Sequence, residues 1–376
     1  MKKIYLKQIP FVLMMFLSFS CFAQKSFFTD ESDAAAKRNA GTRVIVPLKY
    51  RTLSMDFNSM KSFLLSLPSE KNVANRKAAP VLTLPMPDGR TASFNVWESS
   101  IQEPGLESLF PEIKTFLGQG IDDRYATIRF DITPRGFHAQ VLSANGTFYI
   151  DPYALTTNAS DYISYFRTDL VHRNNFVCEV NEENFNNRPT DVESIQANCL
   201  GTQLRTYRIA IACTGEYAQA PGVAAGTDPA LLHAAIVTST NRVVGVYEKE
   251  LAVRMILVAN NNLVEFLDAN SDPFNGNNNA NTLINESQTV IDGNIGFANY
   301  DVGHTFSTGG GGLAQLGVPC GNSKARGITG SPNPTGDGYD IDYVAHEIGH
   351  QFGGSHTFNS TTSNCGGGNR DRKSVV

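Results

Sequence analysis

Residues 344–356 read V-A-H-E-I-G-H-Q-F-G-G-S-H, and the residue types and spacing suit metal-assisted chemistry. On a helix, His346 and His350 sit one turn apart on the same face, where both imidazoles can reach one ion at about 2.0–2.1 Å. Glu347 is adjacent but rotated away, placed to hold a water and take its proton rather than to ligate. Glycine at 353 accepts the left-handed conformation that ends a helix, so the chain can turn and bring His356 back as a third ligand. Three nitrogens leave a fourth position open, as catalytic zinc sites require, and zinc lowers the pKa of a bound water to about 7. An H-E-x-x-H match alone arises by accident. Here three of the chain's seven histidines fall within eleven residues. The five fixed positions together should occur by chance on the order of once in 10⁵ sequences.

Such a helix needs a frame. Tyr343, Val344, Ile348 and Phe352 recur at helical spacing over 341–352 and predict an inward face. Upstream, 204–213 reads as a strand, and Asp228-Pro229 opens a helix whose apolar members include Leu232, Ala235, Ile236, Val243 and Val246. A strand over 251–259, a helix over 282–291 and a strand over 300–307 follow, then a glycine-rich turn and 312–317. Strands alternating with helices predict an α/β domain over 201–370. From about 43 to 153 the text is β-rich instead. Strands are expected at 81–84, 92–96, 125–130, 137–142 and 147–150, separated by Pro87-Asp-Gly-Arg, Pro134-Arg-Gly and Asn145-Gly. No catalytic constellation lies there. Between about 168 and 203 the pattern dissolves into a polar linker containing Cys178 and Cys199.

Composition narrows the classes. A formal charge of −5 gives no electrostatic reason to expect nucleic acid, and 41% hydrophobic with 18% charged residues is ordinary globular composition. Lys2, Lys3 and Lys7 precede an apolar run over 9–19 and Cys21-Phe-Ala23, which reads as a secretory signal over 1–23, with lipidation at Cys21 the alternative. Nothing after Ala23 offers the about 20 apolar residues of a membrane span. Export to a secreted, extracellular location permits disulfides, yet five cysteines remain after Ala23 and five cannot all pair within one chain.

The motif at 346–356 resembles the H-E-x-x-H-x-x-G-x-x-H signature of the metzincin zinc endopeptidases. Gly312-Leu-Ala-Gln-Leu-Gly-Val-Pro-Cys320, Gly327 and Ala345 are similar to the adamalysin (reprolysin) branch, with likeness over roughly 204–370. His356-Thr-Phe resembles the pappalysin branch, the second choice. The resemblance implies an α/β metzincin catalytic domain, a twisted mixed sheet with an active-site helix, preceded by a β-rich propeptide and linker over 24–200. It implies His346, His350 and His356 on Zn²⁺, Glu347 as catalytic base, and Gly312, Leu313 and Ala314 on an edge strand that pairs an extended peptide. It also implies that Cys320 pairs with a cysteine near the end of the catalytic domain.

The function expected is therefore a secreted zinc-dependent endopeptidase precursor acting on protein or peptide substrates, with oligomeric state left open. The alternative is a zinc-binding adhesion module that keeps the fold without turnover. A thiolate is a good zinc ligand, so Cys178 is the first candidate for a cysteine switch and Cys199 the second, against ordinary disulfide pairing. No methionine follows His356, where metzincins place a methionine turn. The last six residues, 371–376, read as a non-native tail, so the catalytic domain is expected to be truncated and weakly active or inactive.

Overall fold

Nine strands between Phe28 and Phe166 pair antiparallel throughout. The computed structural model describes residues 26–38, 41–170, 177–180, 203–309, 311–354 and 356. The expected signal segment 1–23, Cys199, Cys365, Thr357 and the tail 371–376 lie outside those residues. The strands are β1 (Phe28–Asp30), β2 (Arg51–Met55), β3 (Val81–Pro85), β4 (Thr91–Glu98), β5 (Lys114–Gly120), β6 (Thr127–Thr133), β7 (Gly136–Leu142), β8 (Phe148–Pro152) and β9 (Asp161–Phe166), ordered β1-β2-β9-β8-β7-β6-β5-β4-β3. Helices α1 (Asp33–Arg38), α2 (Phe57–Leu65) and α3 (Pro104–Leu109) interrupt them. The 87–90 hairpin forms where proline and glycine predict it: Gly89 has φ 91°, and Asp88 accepts from the Arg90 amide. One face of the sheet buries Leu53, Phe94, Phe116, Ile128 and Phe137 with Met60 and Leu64 of α2.

The second half is α/β. β10 (Arg205–Cys213), α4 (Gly215–Gln219), α5 (Pro229–Leu251), β11 (Val253–Leu257), α6 (Ala280–Ile295), β12 (Val302–Ser307), β13 (Gly311–Ala314) and β14 (Gly327–Gly330) follow in order. Their sheet runs β11-β10-β12-β14-β13, parallel except for β13, which pairs antiparallel with β14 at one edge. β13 is shorter than the 312–317 expected, ending at Ala314. α5 starts as read, with Asp228 capping the Ala230 amide and Pro229 in the first turn. α6 begins two residues before the expected 282, capped by Asn279.

α5 lies between the two sheets, which explains why it is buried nearly all round. One side carries Leu232, Ile236, Val243 and Val244 into a core with Ile209, Ile211, Met255 and Leu257. The other side faces β6 and β7, where Asn241 donates to the Phe130 carbonyl at 3.1 Å. Ile101, Leu106, Phe110 and Ile113 of the first half join the same apolar core. No helix of the described residues is long and apolar enough to cross a membrane.

Candidate metal centre

The helix expected over 341–352 is wound in two ways. Asp337–Tyr339 forms a short α7, Asp340–Ala345 is a π-helical turn, and α8 runs from His346 to Gln351. Such wide turns recur at functional sites. Val344 and Ile348 are buried, while Tyr343 and Phe352 are half-buried against the same core. The Tyr247 hydroxyl of α5 donates to the Ala345 carbonyl at 2.8 Å, pinning the chain one residue before His346.

Gly353 has φ 93°, and the amides of Gly353 and Gly354 bond back to the carbonyls of His350 and Gly349. The chain turns there and returns His356. His346 Nε2 lies 3.0 Å from His350 Nε2, and His356 Nε2 lies 3.1 Å from it. The His350 ring stands nearly perpendicular to both of the others, at 89° and 87°. Cys178 Sγ is 3.5 Å from His350 Nε2, and one ligand atom from each of these four residues lies within 4.8 Å of the rest.

This donor set fits a metal. His350 Nδ1 is 2.6 Å from the Gly354 carbonyl, which only accepts, so the ring proton belongs on Nδ1 and a lone pair leaves Nε2. One lone pair cannot accept from both His346 and His356. A cation among the three nitrogens resolves the conflict, since a tetrahedral ion at zinc–nitrogen length separates its nitrogens by about 3.3 Å.

Glu347 is fully buried, with Oε1 3.9 Å from His346 Nε2. Its carboxylate packs against Gly312 of β13 so closely that a Cβ at 312 would overlap Oε1, Cδ and Cγ. Gly312 is therefore bound to the acid by space as well as by its place on the edge strand. Leu313 is half-buried beside it and Ala314 buried.

Residues 177–180, expected as linker, lie along that edge. Cys178 bridges Gly312 in parallel register; the Gly312 amide donates to the Val177 carbonyl at 3.0 Å and the Glu179 amide to the Gly312 carbonyl at 2.9 Å. The polar flanks hid this seat, because nothing in the local pattern of N-F-V-C-E-V announces a strand partner. Cys213 is buried and Cys320 exposed; both thiols are free, and burial pushes that of Cys213 well up.

Three supports went unread in the sequence. His304 of β12 donates from Nδ1 to Gln351 Oε1 and accepts at Nε2 from the Thr329 hydroxyl, both at 2.8 Å, while Gln351 Nε2 donates to the Gly303 carbonyl at 2.7 Å. Burial lowers His304 to about 4, so it is neutral. Tyr247 is the second. The third is the run of buried acids before the histidines. Arg167 reaches Asp337 at 3.0 Å and Asp342 at 2.9 Å, Tyr149 donates to Asp337, and Arg242 joins Asp340 at 3.0 Å to Asp151. Burial raises Asp340 to about 6 although Arg242 opposes it. A lone buried polar residue gives no period to read; only the fold shows its partner.

Residues 233–357 match the profile of metallo-peptidase family M12B, reprolysin-like. That segment is reprolysin-like metallopeptidase sequence. No curated protein matches the chain. Among solved structures, metalloproteinase-II from Bacteroides fragilis aligns at 12% identity over 82% of this chain and 88% of that one, with a TM-score of 0.48.

Proposed function

We propose that this chain, reprolysin-like over 233–357, is the precursor of a secreted zinc-dependent endopeptidase. His346, His350 and His356 hold the ion, and the observation that carries the reading is the meeting of their three Nε2 atoms with Cys178 Sγ close by. Bound there, zinc would supply Lewis acidity toward a scissile carbonyl and a nucleophilic water. Glu347 takes the proton of that water and returns it to the leaving amine, a role its buried, fixed seat beside His346 suits.

An extended peptide binds by adding to the open edge of β13. The Gly312 amide and carbonyl and the strand on to Ala314 provide backbone partners, so side-chain pockets rather than the backbone select the sequence. In the precursor those groups are taken. Residues 177–180 lie along the edge in the parallel sense, and Cys178 brings its sulfur to 3.5 Å from His350 Nε2. A thiolate there excludes water and holds the enzyme latent. Residues 24–200 are thus read as propeptide and linker, and the lysines and apolar run before them as the export signal.

The test is a peptide-library digest by the activated protein, with and without a chelator, beside Glu347→Ala. Cleavage should vanish with chelator and fall by at least a thousandfold in the variant. Chelator-insensitive cleavage, or parental activity in Glu347→Ala, overturns the reading.

A further inference from the structure

Gln351 directly follows the second histidine, and its side chain is fully buried against β12 and β14. Glutamine is mostly an exposed residue, and a helix face packed on a sheet is ordinarily apolar. Here both ends of the amide are partnered. Nε2 donates to the Gly303 carbonyl at 2.7 Å and lies 3.4 Å from that of Lys324. Carbonyls only accept, so Oε1 is the end turned to His304. The His304 proton therefore sits on Nδ1, 2.8 Å from Oε1, and its Nε2 takes the Thr329 hydroxyl at 2.8 Å. Gly327 of β14 makes room for the amide: a Cβ there would fall 2.3 Å from Gln351 Cδ and 2.4 Å from Oε1.

Two of the three histidines hang from this point. The amides of Gly317 and Val318 donate to the carbonyls of His350 and Gln351 at 3.3 and 2.9 Å, so the main chain of both residues is held as well. The Gly353 amide donates to the His350 carbonyl at 2.8 Å, and that of Gly354 to the Gly349 carbonyl at 2.9 Å. His350 Nδ1 closes the turn on the Gly354 carbonyl at 2.6 Å. The segment that returns His356 is thus built on residues 349–351. A buried polar network with every member satisfied adds little net stability over apolar packing, but it specifies one arrangement. An apolar side chain of similar size could slide along the sheet. This amide cannot, because sliding leaves His304 and Gly303 buried without partners.

We propose that Gln351 is a positioning residue of the metal centre. Its buried amide, seated over Gly327 and tied to His304, fixes the last turn of α8 so that His350 and His356 converge on one ion. Gln351 acts through the main chain of its neighbours, and its loss therefore registers in metal affinity and coordination geometry. This rests on the zinc reading above, but it is measured without reference to peptide cleavage.

The full chain and three variants are compared: Gln351→Leu, which removes the amide, Gly327→Ala, which displaces it, and Thr329→Val, which removes the far hydroxyl. Zinc affinity is measured by competition with a chromophoric chelator, and the cobalt-loaded proteins give a visible spectrum that reports coordination geometry. Residues that orient metal ligands typically change affinity ten- to a hundredfold when lost. Gln351→Leu and Gly327→Ala should each weaken zinc binding at least tenfold and shift the cobalt bands. Thr329→Val should act in the same direction by a smaller factor. If Gln351→Leu fails to fold, Gly327→Ala decides by the same measure. Zinc affinity within threefold of the parent in the folded variants, with unshifted cobalt bands, overturns the proposal even where melting temperatures fall. So do ring ¹⁵N shifts that put the His304 proton on Nε2, a result that needs no metal. A parent that takes up no zinc is a failure of the zinc reading, and the proposal falls with it; a parent that binds while the variants match it overturns the proposal alone.

Discussion

Gly312→Ala isolates the geometry on which the chemistry depends. Gly312 is not among the glycines at positive φ, so alanine is free of backbone strain there. The three atoms nearest the added methyl all belong to Glu347, whose side chain fills the space where Cβ would go. β13 cannot back away, because Gly312 is paired with Thr329 of β14. Glu347 is fully buried, so it must give way inside a packed interior. Restoring ordinary carbon–oxygen contact near 3.5 Å requires a displacement of about 1 Å. Misplacement of a reacting group by that much costs about 10²-fold in rate, or roughly 2.7 kcal/mol of barrier. The assay is kcat/KM on a peptide substrate, with zinc content measured on the same sample. The three histidines are untouched, so metal content should equal the parent's while kcat/KM drops about a hundredfold. A kcat/KM within threefold of the parent refutes the claim that Glu347 acts from the position it holds here.

On the proposed latency, Cys178→Ala should raise hydrolysis by the chain at least tenfold, since the sulfur lies 3.5 Å from His350 Nε2; unchanged latency in a continuous peptide assay removes Cys178 from that role. His304 gives a pH dependence with a definite sign. Its folded value of about 4 lies below the ordinary 6.5, so the unfolded chain binds the extra proton between them. Stability from this residue is complete above about pH 6.5 and is lost as pH falls toward 4, by about 3 kcal/mol in all. Thermal melts from pH 7 to 4.5 should flatten in His304→Gln, and an equal slope in both proteins counts against the assignment. Tyr247→Phe leaves the Ala345 carbonyl without its 2.8 Å donor, at a cost of about 1–3 kcal/mol; a melting temperature equal to the parent's would show that bond to be idle.

What could be read ahead of the fold was whatever repeats locally. Alternation gave β3, β4, β6, β7 and β8, and the proline start gave α5. β5 was missed because its G-Q-G end and central Phe116-Leu117 pair carry no clean alternation, and β9 because its Y-I-S-Y-F run sits beyond the last turn signal. The three imidazoles lie four to ten residues apart in one stretch, so spacing alone could bring them together on paper, and they meet in the structure. The π-turn over Asp340–Ala345 could not be foreseen, since it answers to Tyr247 and to the buried arginines rather than to local propensity. The seat of Cys178 on β13 was likewise illegible. A strand pairing across 134 positions leaves no trace in the short window around either residue, whereas the thiol's chemistry did single it out.

Because α5 is the layer between two sheets, the order in which the ribosome delivers those layers matters. The first sheet ends at Phe166, and Pro229 opens α5 some sixty residues later, roughly 3 to 12 s of synthesis. A nascent α5 thus emerges to find β6 and β8 already able to receive Asn241 and Arg242, with the histidine turn made last upon it. Translating the second half alone would present that helix with only one of its two walls.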